Sequence, residues 1–432
     1  MRYDFDEKGG GSRIRAAALA GFLAMAFNVE AAPPASPGVD AVKAELEALK
    51  REVEALRAQV NGQGSQAASK KEVAALQKEV SEVREATLRP PYEWDKGTSF
   101  HFGGYAAVGY SSQRTGGRSF DQAVFVPGFH FNYRDIAFAE AKLETAVAPN
   151  GETETKVESA NLNLFLGDYA VLTAGKFLSP LGQFQQNYHA PWINKLASRP
   201  VGFGEEASGA PLASVGAQIR GGFPLGQSLK ANYAVFVANA PALRLNGGGD
   251  EIELITNEPG TSAPRNKKIW GGRFSIFPLP SLELGLSAAA GKTALEDGGA
   301  VGAARSYRAA GGDFAWQYGK DFDLRGEYLR QRIGDGTEDP GGPFALVSSS
   351  GASWKARYIQ AAYKFMPKWE GVFRWSRFDA PHGDQWQRQK ALGLNYWYAS
   401  NVVGKITYEF NNGKSGELTD KDRLLLQLTY GF

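Results

Sequence analysis

The sequence predicts an all-β protein: a 16-stranded antiparallel transmembrane β-barrel preceded by an N-terminal α-helical coiled coil. Three observations carry this. From Phe100 onward, apolar and polar residues alternate with a period of two. The alternating segments are joined in turn by tight connections and long ones. The last stretch, "DRLLLQLTYGF" (422–432), puts Leu424, Leu426, Leu428, Tyr430 and Phe432 on one strand face and Leu425, Gln427, Thr429 and Gly431 on the other.

The first element is a signal peptide, residues 1–31. In a chain of 432 residues with 43% hydrophobic content and a mean hydropathy of −0.34, the one long apolar stretch is "AAALAGFLAMAF" (16–27). It is too short to span a bilayer as a helix. Arg13 and Arg15 precede it and the small residues around Val29-Glu30-Ala31 follow, which is the layout of a secretory signal. The acidic leader "MRYDFDEKGG" is unusual for one and suggests a start further downstream; a buried soluble helix is the alternative reading.

A Pro-rich linker (32–38) leads to the coiled coil, residues 39–88. Val39, Val42, Leu46, Leu49, Val53, Leu56 and Val60 recur at spacings of three and four, flanked by Glu, Lys and Arg. "NGQGSQ" interrupts the seam, and Val73, Leu76, Val80 and Val83 resume it in a shifted phase. So narrow a seam needs a partner strand, and self-association follows. The alternative is a single amphipathic helix lying on its own barrel. Mixed Val and Leu leaves dimer and trimer both open. "RPPYEW" opens a second linker, 89–99.

The barrel domain occupies 100–432. Strands are expected at 100–111, 122–133, 135–147, 156–166, 169–177, 212–223, 228–238, 267–277, 281–291, 305–318, 321–332, 354–366, 369–379, 387–399, 401–411 and 422–432. The short connections are 134–135, 167–168, 224–227, 278–280, 319–320, 366–368 and 399–400. Between them lie 112–121, 148–155, 178–211, 239–266, 292–304, 333–353, 380–386 and 412–421. Short periplasmic turns alternating with longer external loops are the habit of transmembrane barrels. The critical turn is Arg134–Asp135: if 129–147 were one strand, the count would be fifteen and every later loop would change sides. Closure of the last strand on the first leaves no unpaired edge, so an ending in exposed aromatics is tolerable.

Composition narrows the function. The absence of cysteine excludes thiol catalysis, Cys-ligated zinc, covalently attached haem and cysteine-held clusters. A net charge of +2 without a basic stripe argues against a nucleic-acid partner. The four histidines form no catalytic spacing, and GxSxG is missing, so no enzyme is expected. "DGTEDPGG" (335–342) gathers carboxylates that could take up Ca²⁺, but a solvated loop is the simpler reading; no cofactor or metal is expected.

The chain from signal to terminal Phe resembles a bacterial outer-membrane porin of the sixteen-stranded trimeric type. "LTAGKFLSPLGQF" (172–184) is similar to the strand-to-loop passage of the phosphate-selective porin O/P family, and the N-terminal helix is similar to that of coiled-coil-bearing dicarboxylate porins. The anion-binding arginines and lysines of the phosphate-selective family find no match here, so its substrate does not carry over. The resemblance implies an outer-membrane channel with its coiled coil in the periplasm, and Tyr430 and Phe432 as a signal for the assembly machinery. Expected partners are membrane lipid, two further copies of the chain and the assembly machinery, with peptidoglycan a further candidate for the coiled coil.

Sixteen strands leave a water-wide lumen. The longest loop, 178–211, supplies constriction candidates: Tyr188, His189, Lys195 and Arg199, joined by Lys176 from the preceding strand. Packing against the inner wall is the alternative for all of them, and the better reading for Trp192. Face parity sends Arg220, Arg273, Arg325, Arg374 and Lys405 inward as lumen wall, with Lys142, Lys230 and Lys364. It sends Glu140, Glu144, Glu283, Asp313, Asp323, Glu327, Glu370 and Glu409 inward too. The signs nearly balance; a weak anion preference would come from Lys176, Lys195 and Arg199. Two other roles are open: an envelope tether working through the coiled coil, and a barrel sheath for a partner electron-transfer protein.

Overall fold

The computed structural model describes residue 51 and residues 97–432, apart from 115–116, 205–208, 227–228, 257, 259, 382–385 and 414–420. The expected signal peptide, linker and coiled coil lie outside the described residues, Arg51 excepted.

Sixteen strands form the wall: β1 (Thr98–Gln113), β2 (Arg118–Tyr133), β3 (Ala137–Val147), β4 (Thr153–Gly167), β5 (Ala170–Leu178), β6 (Ala213–Leu225), β7 (Leu229–Asn239) and β8 (Lys268–Leu279). They continue with β9 (Leu282–Asp297), β10 (Arg305–Tyr318), β11 (Phe322–Ile333), β12 (Ala352–Met366), β13 (Trp369–Asp379), β14 (Gln387–Ala399), β15 (Val402–Gly413) and β16 (Arg423–Gly431). Each pairs antiparallel with the next. β16 closes on β1, in register from Tyr105↔Gly431 to Gln113↔Arg423. Arg134, at φ 49°, turns the chain between β2 and β3, and Tyr133 pairs with Ala137. The critical turn is made, and the count is even.

Alternation decides which side chains face out. On β16, Leu426, Leu428 and Tyr430 are exposed while Gln427 and Thr429 are buried. Ile359, Tyr363 and Phe365 on β12, and Leu392, Leu394 and Tyr398 on β14, continue the outward band, with Gln360 and Asn395 behind them. The last residue joins the ladder. Phe432 donates its amide to Gly104 O and accepts from Gly104 N (3.0 and 2.8 Å). Its ring packs 5.5 Å from Phe102 and 5.6 Å from Phe125.

Two expectations about the connections change. The first two long loops shrink to 114–117 and 148–152, because β1, β2 and β4 run further than their apolar pattern does. Other loops fold on themselves. Ala242–Leu245 pairs with Ile252–Ile255, and Ala242 and Leu243 lie parallel to Ala294 and Leu295 of β9. Leu243, Ile255, Leu295, Phe344, Val347 and Trp354 bury one another there. Arg305, fully buried, donates to Ser348 O (3.1 Å) and pairs with Glu338. Glu338, from "DGTEDPGG", also accepts the Ala303 amide at 2.6 Å, so its carboxylate already serves the roof of the barrel.

Candidate functional site: the loop inside the barrel

Between β5 and β6 the chain leaves the wall, and residues 179–204 and 209–212 fold into the lumen. Gly182, at φ +80°, comes so close to β11 that a Cβ would stand 1.7 Å from Glu327 Oε1. Only glycine accepts both that φ and that approach. Glu327 Oε2 then accepts the amides of Gln183 (3.0 Å) and Phe184 (2.9 Å). After the π-turn Phe184–Tyr188, the loop crosses the lumen. His189 Nε2 meets Glu158 Oε1 of β4 at 2.5 Å, and the Tyr105 hydroxyl donates to the same oxygen at 3.2 Å. Glu158 reaches inward because the β3–β4 register slips between Lys142 and Leu143, which turns adjacent Glu158 and Ser159 both toward the lumen.

The loop then returns to the far wall, where it is gripped by its main chain. The Lys405 ammonium donates to the carbonyls of Pro191, Asn194 (2.7 Å) and Leu196 (3.4 Å), and to Gln427 Oε1 (3.0 Å). Arg374 donates to Ser198 O (2.7 Å), Ser198 Oγ (2.8 Å), Arg199 O (3.1 Å) and Gln389 Oε1 (2.9 Å). Asn395 holds the Lys195 carbonyl at 2.8 Å. Leu196 seats against Gly393, where a Cβ would be 2.4 Å from Leu196 Cδ2.

Each candidate now has a place. Tyr188 is buried under the Arg325 guanidinium, 3.8 Å from its ring; burial pushes its phenol up to about 12, against the pull of that guanidinium. Lys195 is paired with Glu370 at 2.8 Å. Arg325 is held by Asp323 (2.7 and 2.5 Å), and Arg273 by Asp313 (2.9 and 2.5 Å) and Glu283 (2.9 Å). Arg374 and Lys405 point inward but are covered by the loop. Arg220 shares the inward row of Gln218 on β6 and is half-buried.

Lys176 is a correction. Thr173 bonds Asn163 (2.6 Å) and Phe177 joins the buried core, so odd-numbered residues of β5 face in. Lys176 therefore points outward with Ala174, opposite Ala160 and Val215. Its ammonium is bound to Glu258 (3.0 Å) and Val157 O (2.6 Å), away from any constriction.

Between the loop and β1–β3 lies a cavity of about 640 Å³. Arg199, Ser198 and Asn194 line it from the loop, and Tyr105, Gln122 and Glu144 from the wall, with Arg423 and Gln427 at one side. Sequence reading missed Glu158. Its signal was two neighbouring polar residues, Glu158 and Ser159, breaking the alternation of a strand.

No family model matches the chain, and no curated protein sequence is detectably similar to it. Solved structures do match. The outer membrane channel DcaP of Acinetobacter baumannii aligns at TM-score 0.50 and 10% identity, over 80% of this chain and all of that one. An anion-selective porin from Comamonas acidovorans aligns at 0.50 and 15%, over 78% and 100%. OmpF of Salmonella typhi, solved with daunomycin, aligns at 0.50 and 12%, over 78% and 98%. What is shared is the porin barrel. At such identities the likeness is one of fold alone.

Proposed function

We propose that this chain is a non-enzymatic outer-membrane channel for passive diffusion of small hydrophilic solutes or ions. One observation carries the reading: the described part of the loop between β5 and β6 folds into the lumen without filling it, and a cavity of about 640 Å³ remains between it and β1–β3. A plug would fill that space; a ledge narrows it. Exclusion by size at the ledge, biased by local charge, needs no chemistry.

The finer parts of the reading rest on sequence. The chain is exported by its signal peptide, assembles as a trimer, keeps its coiled coil in the periplasm within reach of peptidoglycan, and is read by the assembly machinery at Tyr430 and Phe432. A weak anion preference is supported by Arg199, which lines the cavity.

Single-channel recording in a planar bilayer under a KCl gradient tests this. Conductance in steps of three, with an anion-side reversal potential, is the expected result. Silence from folded barrels would overturn the channel; a cation-side potential would overturn only the Arg199 part.

A further inference from the structure

The outward rows of β10–β14 change character toward the end that carries the long loops. Near mid-strand they present Tyr328, Ile359, Phe373 and Leu392, all exposed apolar or aromatic side chains. One or two steps further, every row turns basic. Arg308 stands directly opposite Arg332, and Arg330 opposite Lys355. Arg357 stands opposite Arg377, which stands opposite Arg388, with Lys390 two residues along β14. Like charges directly opposed on one sheet face repel, so this arrangement weakens the isolated wall. Among the described residues of these outward rows the only acid is Asp379, which binds Arg357 (3.1 Å) and Arg377 (2.7 Å). Arg308, Arg332, Lys355 and Lys390 have no acidic partner among the described residues. Among the described residues the opposite wall has nothing comparable: the outward cations of β1–β5 are Arg118 and Lys176, and Lys176 is neutralised by Glu258.

We propose that this belt on β10–β14 docks phosphate-bearing lipid headgroups of the outer leaflet. The inference rests on the membrane orientation of the channel reading, with the long loops outside. A row of cations immediately above a hydrocarbon-facing band is where a lipid puts its phosphates when its acyl chains lie along that band. Six of the eight side chains are arginines, whose planar forks bind phosphate oxygens in pairs. A soluble anion would use the charge but not the apolar rows beneath it. A lipid uses both, and its phosphates relieve the cross-strand repulsion.

The test is retention of bisphosphorylated lipid A by the full chain in zwitterionic detergent, counted by native mass spectrometry, beside the same lipid stripped of phosphate. Wild type is expected to hold the phosphorylated form at least tenfold more tightly. The combined variant Arg308→Gln, Arg330→Gln, Arg332→Gln, Arg388→Gln is expected to lose at least tenfold, while Lys176→Gln on the other wall loses nothing. Equal retention of both lipids by wild type would sink the proposal without any variant. So would unchanged retention by the combined variant with a heat-modifiable barrel and wild-type conductance. Binding of inorganic phosphate that matches the lipid's would also overturn it. Conductance is read separately, so a silent channel that still retains lipid A counts against the channel reading alone.

Discussion

The inner wall divides into two halves that use charge differently. On β8–β16, Arg273, Arg325, Arg374, Lys405, Glu327, Glu370 and Glu409 face inward and are almost all buried. They are tied to one another or grip the loop. On β1–β3 the inward charges stay at the water's edge. His101 and His130 lie with their Nδ1 atoms 3.3 Å apart, His130 reaches Glu140 at 3.3 Å, and Glu144 faces the passage. A charge on the inner face is therefore not yet a charge in the pore. It lines the pore only where no loop lies over it.

The sharpest way to break this contrast is to take the loop off its wall. Arg374→Ala removes four hydrogen bonds and leaves Glu409 with less compensation, at a cost of about 3–5 kcal/mol. Urea unfolding should show that loss, and single channels should pass more current. Unchanged conductance would mean that the seat is held elsewhere. His189→Ala removes the hydrogen bond that ties the loop to Glu158 of β4, a loss of roughly 1–3 kcal/mol with Tyr105 left on Glu158. Open-channel noise should rise, and a quiet trace would show that the crossing does not steady the loop.

Tyr188 gives a pH signature. Its phenol is held neutral up to about 12, so the stability it lends is full below the unfolded value near 10 and drains away as pH climbs toward 12. Between those limits wild type should lose roughly 2 kcal/mol that Tyr188→Phe keeps; parallel pH curves for the two would refute it. The smallest effect sharpens the division of the wall. Arg199→Gln should shift the reversal potential by a few millivolts toward cations with stability changed by less than about 0.5 kcal/mol. Lys176→Gln should shift neither, and a matching shift would put Lys176 back in the conduction path.

Much of the wall was legible because a strand writes its two faces into alternate residues. Leu426, Leu428 and Tyr430 could be assigned outward, and Arg374 and Lys405 inward, without knowing what they touch. What lies above a face is not written locally. Lys405 meets Asn194 across more than two hundred residues, and nothing near either announces the other. Lys176 failed for a different reason: the face of β5 is set by Thr173 on Asn163 and by Phe177 in the core, and apolar residues on both faces, Val171 and Phe177 on one and Leu172 and Ala174 on the other, leave no alternation to declare it. The first two loops were overestimated because strands continue on backbone pairing after their apolar pattern has ended.

The anchors of the ledge bind carbonyl oxygens more often than side chains: Lys405 those of Pro191, Asn194 and Leu196, Arg374 those of Ser198 and Arg199, Asn395 that of Lys195. Every residue but for its side chain offers the same carbonyl. The carbonyl mounting at Asn194 and Arg199 thus does not depend on which side chain lines the cavity there, as a sieve plate can be swapped within a fixed frame. A library varied at those two positions should keep one barrel and sample many filters, which makes this loop a natural place from which new selectivities could arise.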